Sequence, residues 1–216
     1  MDPFLFRADL DRKPEVLKKL AGNLNASNPW TATTIAATDR IVFIGMGSSH
    51  YANAIAAARL QALGINAVAT LASSDLLPKV DSTSVVIVVS ASGTSVETVH
   101  AAKHYSGTCR TIASTNVESS PIEDLCDINI PMQAGPELGG VACRSYQNTI
   151  ALLLSLQQHV APQSMGTSVS ELVRMSAQAC AEILKTSEQW LPAVSELLLG
   201  PTGTTFVAPA SRFCNA

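Results

Sequence analysis

The stretch SVVIVVSASGTSVETV, residues 84–99, decides the fold of this chain. It contains an uninterrupted apolar run over residues 85–89, which is typical of a strand buried on both faces of a parallel sheet. Five hydroxyl side chains around Gly93 follow the run, namely Ser90, Ser92, Thr94, Ser95 and Thr98. A helix is predicted over 95–105. The stretch therefore predicts a buried strand, a polar loop at its carboxyl end and a covering helix.

The same alternation continues along the chain from residue 40. Strands are predicted over residues 41–44, 67–71, 85–89, 111–113 and 128–130, and helices over residues 49–63, 95–105, 121–125 and 140–159. Buried strands separated by helices predict an α/β fold, a three-layer, doubly wound five-stranded parallel sheet. In such folds ligands bind beyond the carboxyl ends of the strands.

Helical patterns flank this region on both sides. Residues 1–39 predict an N-terminal helical arm with a helix over 3–24, and residues 40–163 form the predicted α/β domain. Connecting helices are predicted over 164–203, the first over 168–190 and a shorter one starting at Pro192. Residues 204–216 repeat the pattern of the first strand and its turn, so we expect the start of a second, incomplete domain and a chain that continues further.

Composition narrows the possible partners and cellular location. The chain is 47% hydrophobic and 14% charged, with a net charge of −3, which is typical of a folded protein without a nucleic-acid-binding surface. Its five cysteines include no CxxC pair, so we expect free thiols. Neither a signal peptide nor a membrane span is apparent. We therefore expect a cytoplasmic protein that binds neither nucleic acid nor membrane.

Two of the loops at predicted strand ends contain candidate ligand-binding residues. The loop after the first strand lacks the dinucleotide fingerprint, because His50 stands where GxGxxG needs glycine. The loop after the third strand combines hydroxyls with the N-terminus of a helix, which favours a phosphate. The alternative is that Thr94 only caps this helix, in a capping box over 94–97. The candidates are Gly47, Ser48, Ser49, Ser90, Ala91, Ser92, Gly93, Thr94 and Ser95.

A third loop, residues 134–144, carries Glu137 among glycines after the fifth strand. Glu137 is a candidate general base, and the alternative is a carboxylate that stabilises the N-terminus of the next helix. Cys143 beside Arg144 could have a lowered pKa, but no partner histidine is identifiable. We expect no metal site, because the helical pair His100 and His104 has no third ligand. No Walker motif is present, so we expect a small phosphate monoester and no cofactor.

The motifs GMGSSHYA (45–52), SASGTS (90–95) and AGPELGGVACRSY (134–146) together resemble the three signature loops of the sugar isomerase (SIS) domain family. The resemblance is closest to the isomerase half of glucosamine-6-phosphate synthases and their relatives without a glutaminase domain. It implies a five-stranded parallel sheet of flavodoxin-like type. It also implies phosphate contacts from Ser90, Ser92 and Ser95, and sugar contacts near Ser48 and Ser49.

Departures from the family pattern leave the sugar and the reaction open. Where synthases have SQSGET, this chain has Ala91 in place of glutamine and Thr94 in place of glutamate, and the usual STK reads as residues 142–144, ACR. In two-domain relatives the main catalytic glutamate, a histidine and a C-terminal lysine lie in regions beyond residue 216. Glu137 is accordingly a secondary catalytic candidate.

The resemblance implies an enzyme that acts on a hexose 6-phosphate such as fructose 6-phosphate or glucosamine 6-phosphate. It would act as an aldose/ketose isomerase or as an amino sugar phosphate deaminase or aminotransferase. The alternative is a module that senses a phosphosugar without chemistry. Members of the family usually dimerise, so a homodimer is expected.

Overall fold

A computed structural model describes residues 2–199 of the chain and contains a five-stranded, all-parallel sheet. Its strands are β1 (Arg40–Gly45), β2 (Ala67–Leu71), β3 (Ser84–Val89), β4 (Arg110–Thr115) and β5 (Ile128–Pro131). Their order across the sheet is β2-β1-β3-β4-β5. The predicted five-stranded parallel fold is thus confirmed. The predicted second domain start, residues 204–216, lies outside the described residues.

Helices cover both faces of the sheet and complete three layers. They are α1 (Pro3–Asp11), α2 (Lys13–Ala26), α3 (Gly47–Ala62), α4 (Val96–Tyr105), α5 (Pro121–Leu125), α6 (Arg144–Val160), α7 (Val169–Lys185) and α8 (Ser187–Leu199). Short 3₁₀ turns occupy Pro29–Ala32 and Pro162–Ser164. One face packs against α2, α3, α6 and α7, and the other packs against α4 and α5. Within residues 2–199, no helix is long and apolar enough to cross a bilayer.

The central strand β3 explains why the sheet needs a layer on each side. All six of its residues are buried. Val85, Ile87 and Val89 point into the core formed with α2, α3 and α6, while Val86 and Val88 point into the core formed with α4 and α5. Alternation of side chains between the faces of a strand requires both layers when every residue is apolar.

The N-terminal arm contains two helices where one was predicted over 3–24. Arg12 separates α1 from α2, and Pro14 lies in the first turn of α2. Proline has no N–H and clashes with a preceding helical carbonyl, so it fits the start of a helix but not the interior of a continuous one. The arm ends at Trp30, which is fully buried and donates from Nε1 to the Leu152 carbonyl at 2.7 Å.

The connecting helices also differ from the prediction. The helix expected over 168–190 ends at Lys185, where the Thr186 hydroxyl donates to the Glu182 carbonyl at 2.8 Å. Pro192, expected to start the next helix, lies inside α8 because that helix begins directly after the break. The domain boundaries at residues 40, 164 and 204 stay predictions.

Candidate functional site

The carboxyl ends of β1 and β3 lie side by side, with Gly45 opposite Val89. After β1 the chain passes through α3 on one face of the sheet, and after β3 it passes through α4 on the other face. In a sheet of this strand order, this is the switch point at which a crevice opens between diverging crossovers. The N-termini of α3 and α4 are therefore both directed to this crevice.

The loop after β3, residues 90–95, has a buried base and an exposed rim. Ser90 is buried, and its Oγ accepts from the Gly93 N–H at 3.2 Å. Ser92 and Thr94 are exposed, and Ser92 Oγ accepts from the Thr94 N–H at 3.3 Å. Ser95 Oγ donates to a Glu97 carboxylate oxygen at 3.1 Å. Ser90 thus braces the loop, while Ser92 and Thr94 offer hydroxyls at its surface.

The first turn of α4 presents unpaired backbone donors beside these hydroxyls. Within residues 2–199, the N–H groups of Val96, Glu97 and Thr98 make no hydrogen bond. The capping box predicted over 94–97 is wrong, since the N-cap is Ser95 and its side chain bonds Glu97 instead of the backbone. A helix start with free N–H groups and no side-chain cap is a ready site for an anion.

Gly93 fits a position that no other residue could occupy without strain. Its φ is +66°, in the left-handed region that favours glycine. A Cβ at this position would lie 2.3 Å from Ser120 Oγ and 2.9 Å from Thr115 Oγ1. The Gly93 carbonyl also accepts from the Ile122 N–H at 3.3 Å, at the start of α5. The loop is therefore fixed against the neighbouring strand–helix unit.

The loop after β1 brings Gly47, Ser48 and Ser49 to the N-terminus of α3. Gly47 has a φ of +50°, Ser48 is partly exposed and Ser49 is nearly buried. The N-cap, Met46, makes no side-chain capping bond. This start of α3 faces the crevice opposite α4, and the assignment of residues 47–49 to a ligand site stays a prediction.

The third loop, residues 134–144, is named here the glycine loop. Glu137 Oε1 accepts from the N–H groups of Cys143 at 2.9 Å and Arg144 at 2.6 Å, and Oε2 accepts from Ser145 N at 3.2 Å. The carboxylate therefore caps α6, which begins at residue 144 and not at residue 140 as expected. This geometry fits the alternative interpretation of Glu137, and its role as a base stays a prediction.

A buried ion pair links the glycine loop to the N-terminal helix α1. Asp9 is 3% exposed and Arg144 is 2% exposed, and Asp9 Oδ1 accepts from Arg144 Nη2 at 2.8 Å. Burial alone would raise the pKa of Asp9. The N–H groups of Gly139 and Leu138 and the charge of Arg144 outweigh burial, so the pKa of Asp9 lies below its ordinary value.

The thiol in the glycine loop is not activated. Burial, followed by the neighbouring Glu137 carboxylate, raises the pKa of Cys143, so the lowered value considered for a cysteine beside Arg144 is wrong. Among residues 2–199, no three histidine, cysteine, aspartate or glutamate side chains converge as metal ligands would.

Buried polar atoms without a hydrogen-bond partner concentrate at this edge of the sheet. Among the described residues they are His50 Nδ1, Asn53 Nδ2 and Oδ1, Ser120 Oγ, Arg144 Nε, Ser145 Oγ, Gln147 Oε1 and Asn148 Oδ1. All belong to the first two turns of α3 and α6 or to the N-cap of α5. Folded proteins leave few such atoms unpaired, so water or other polar groups are expected to contact them at this edge.

Several residues of this edge were missed by sequence reasoning. Asn53 is fully buried, and a Cβ on Gly45 would lie 2.9 Å from its Nδ2. Asn116 follows β4 directly and joins that strand to the glycine loop: its Nδ2 donates to the Gly135 carbonyl at 2.7 Å and its Oδ1 accepts from Ala134 N at 2.8 Å. A polar residue directly after a buried strand was a usable signal for Asn116 but not for Asn53.

Comparison with known proteins gives one family and several relatives. The SIS domain profile matches residues 34–158. The glutamine–fructose-6-phosphate aminotransferase (isomerizing) of Aeropyrum pernix is 32% identical over 129 residues, 58% of this chain and 21% of the relative. The enzyme of that name from Pyrobaculum aerophilum is 27% identical over 202 residues, 90% of this chain and 33% of the relative. This chain thus spans about a fifth to a third of these relatives.

A solved structure shares the fold. Glucosamine-6-phosphate deaminase from Thermotoga maritima superposes with a TM-score of 0.69 at 21% identity, over 87% of this chain and 57% of that one. At this identity the likeness shows the fold alone.

Two glycines with similar backbone angles test the fit of the loop after β3. Gly93→Ala should lower the free energy of unfolding by about 3 kcal/mol, because strain at positive φ adds to the clash with Ser120 and Thr115. Gly107→Ala is the matched control, since its φ is +73° and no atom lies within 4 Å of the added Cβ. This substitution should lower the free energy of unfolding by about 1 kcal/mol. Urea unfolding measures both, and equal losses would contradict the assigned contact.

Proposed function

Since this chain belongs to the SIS domain family, we propose that it binds a phosphosugar at the carboxyl edge of its sheet. The observation that carries the proposal is the start of α4, where three unpaired N–H groups lie beside the exposed hydroxyls of Ser92 and Thr94. The phosphate binds there, and the sugar extends across the crevice toward Ser48 and Ser49. Residues 90–95 hold the phosphate, and residues 47–49 contact the sugar.

Neutral donors suit a small monoester in this protein. The chain has a net charge of −3, and no lysine or arginine lies in residues 90–95. The amide dipoles of α4 place about half a positive charge at its N-terminus, which attracts a phosphate without a cationic side chain. Glu97, in the first turn of α4, lies beside the same donors. Its charge opposes the phosphate, so we expect moderate affinity.

The proposed ligand is a hexose 6-phosphate such as fructose 6-phosphate or glucosamine 6-phosphate. The names of the relatives above support this choice. The proposed reaction moves a proton between C1 and C2, as in aldose/ketose isomerisation, with amino transfer or deamination coupled to it. The phosphate does not react, and its binding energy holds C1 and C2 in place for proton transfer. Glu137 is the candidate base within residues 2–199, and it would reach a substrate proton only by giving up its contacts with the start of α6.

A second candidate function is a phosphosugar sensor without catalysis. The capping contacts of Glu137 favour it, because the one carboxylate predicted to act as a base already accepts three backbone N–H groups. A sensor needs the phosphate site and the sugar contacts but no base. Both functions therefore share the same binding site.

Alanine at two serines of the loop after β3 tests the binding site. The double variant Ser92→Ala/Ser95→Ala should bind fructose 6-phosphate about a hundredfold more weakly, because each hydroxyl lost to a charged ligand costs about 1.5 kcal/mol, or about tenfold in affinity. Isothermal titration calorimetry measures the affinity. Ser82→Ala is the control, since residue 82 precedes β3 at the opposite edge of the sheet. An unchanged affinity in the double variant would refute the assigned site.

Isotope exchange separates the two candidate functions. The protein is mixed with fructose 6-phosphate in D₂O, and NMR follows deuterium entering the carbon next to the carbonyl. Exchange, or ammonia released from glucosamine 6-phosphate, is expected for the enzyme, since both need a proton removed from carbon. Saturable binding without either signal would overturn the enzyme and support the sensor.

We also propose that the chain is a cytoplasmic homodimer. Large apolar side chains on α7 and α8 are exposed, among them Ile183 (53%), Leu197 (81%) and Leu199 (68%), and a protein interface would cover them. Sedimentation equilibrium should give about twice the mass of one chain at micromolar concentration. A single-chain mass across that range would contradict the dimer.

A further inference from the structure

Helix α1 buries a charged residue and exposes two of its apolar ones. Asp9 is the buried residue of this helix, at 3% exposure, whereas Phe4 is 86% and Leu5 is 41% exposed. Burying a carboxylate is costly unless hydrogen bonds and a counter-charge offset the lost hydration. The position of α1 therefore depends on what Asp9 contacts.

Asp9 organises the glycine loop directly and through Arg144. Its Oδ2 accepts from Leu138 N at 2.9 Å and Gly139 N at 2.7 Å. Its Oδ1 accepts from Arg144 Nη2, and Arg144 Nη1 donates to the Ala134 carbonyl at 2.8 Å. Arg144 also donates to the carbonyl of Pro136. One ion pair thus fixes four backbone groups of a loop that contains three glycines.

The backbone of α1 lies in contact with the same loop. A Cβ on Gly139 would lie 2.4 Å from Phe6 Cα and 2.6 Å from Phe6 N. No side chain separates the two segments at this point, so a side chain at position 139 would displace α1 from the loop.

The loop held in this way lies at the carboxyl edge of the sheet. It runs from the end of β5 to the start of α6, and α6 packs against α3, whose N-terminus carries Ser48 and Ser49. Asn116 ties the loop to the end of β4. The loop over 90–95 has separate supports, since Ser90 N donates to the Ser114 carbonyl at 3.0 Å and Gly93 pairs with Ile122. Asp9 therefore acts on the sugar side of the site.

Given that the site binds a phosphosugar, as proposed above, we propose that Asp9 is a positioning residue: it docks α1 and holds the glycine loop in the arrangement that receives the sugar. Asp9 touches no ligand, and it acts through the backbone of Leu138 and Gly139 and through Arg144. Its loss should weaken binding of the sugar part while the phosphate part stays bound.

The test compares two aspartates of α1 in the full 216-residue chain. Asp9→Asn should weaken binding of fructose 6-phosphate about tenfold and change the affinity for inorganic phosphate less than about threefold, both measured by calorimetry. Asp11→Asn is the matched control, because Asp11 is exposed and pairs with Arg7 of the same helix at 2.9 Å. It should leave both affinities unchanged. If Asp9 had a purely structural role, Asp9→Asn would weaken the binding of fructose 6-phosphate and of inorganic phosphate by the same factor.

Amide hydrogen exchange gives a second readout. In Asp9→Asn, the amides of Leu138 and Gly139 should exchange at least about tenfold faster, because a neutral amide accepts their bonds more weakly. If Asp9→Asn does not fold, Gly139→Ala replaces it, since that change displaces α1 and keeps the ion pair residues. Gly166→Ala, with open space around the added Cβ, is its control.

The outcomes separate this proposal from the one on which it rests. If the unmodified protein binds no hexose phosphate, the proposed function fails and the role of Asp9 fails with it. If it binds, and Asp9→Asn or Gly139→Ala binds the sugar phosphate equally well, only the positioning role is overturned. A selective loss of sugar phosphate over phosphate, with faster exchange at 138 and 139, supports it.

Discussion

Parallel pairing of β1 with β3 is the constraint on which the site depends. Parallel strands need crossovers, and in this order the two crossovers leave the sheet on opposite faces. The starts of α3 and α4 must then lie on either side of one crevice. Because β3 is buried throughout, packing against both helical layers holds it between β1 and β4. The core therefore sets the geometry of the edge where binding residues lie.

The edge combines neutral hydrogen-bond donors with charged side chains, and the two groups have different roles. Backbone N–H groups and hydroxyls present dipoles without net charge, and they suit an anion in a chain of net charge −3. Charged side chains instead act within the loops: Glu137 caps α6, and Asp9 with Arg144 holds the glycine loop. Glycines let these loops approach a ligand and each other closely, but they lose much conformational freedom on folding. The hydrogen bonds that the charged side chains make to many backbone groups of the loop offset that entropic cost.

The sequence predicted the sheet well because its strands are uninterrupted apolar runs. Those runs at 41–44 and 85–89 lie within β1 and β3, and the hydroxyl loop lies at the predicted strand end. Helix boundaries were harder to predict from the sequence. The break at Arg12 depends on Pro14, which lies in the first turn of α2. The late start of α6 depends on the contacts of Glu137, and these form only in the folded chain. A local sequence pattern does not show which distant residues a side chain will contact in the folded chain.

Asp9 shows this limit most clearly, and it also shows why the limit matters for function. Its partner Arg144 lies 135 positions away, and a hydrophobic pattern does not predict that a carboxylate in α1 will be buried. A hydrophobic pattern indicates which apolar side chains gain free energy by leaving water. Asp9 is buried for another reason: the free energy of its hydrogen bonds and of its pairing with Arg144 exceeds the cost of removing the carboxylate from water. Such a contact is directional, and it holds the glycine loop in one arrangement. Apolar packing of Phe4 or Leu5 would stabilise the helix but would tolerate several positions of the loop. A loop that must present its backbone to a ligand needs the directional contact.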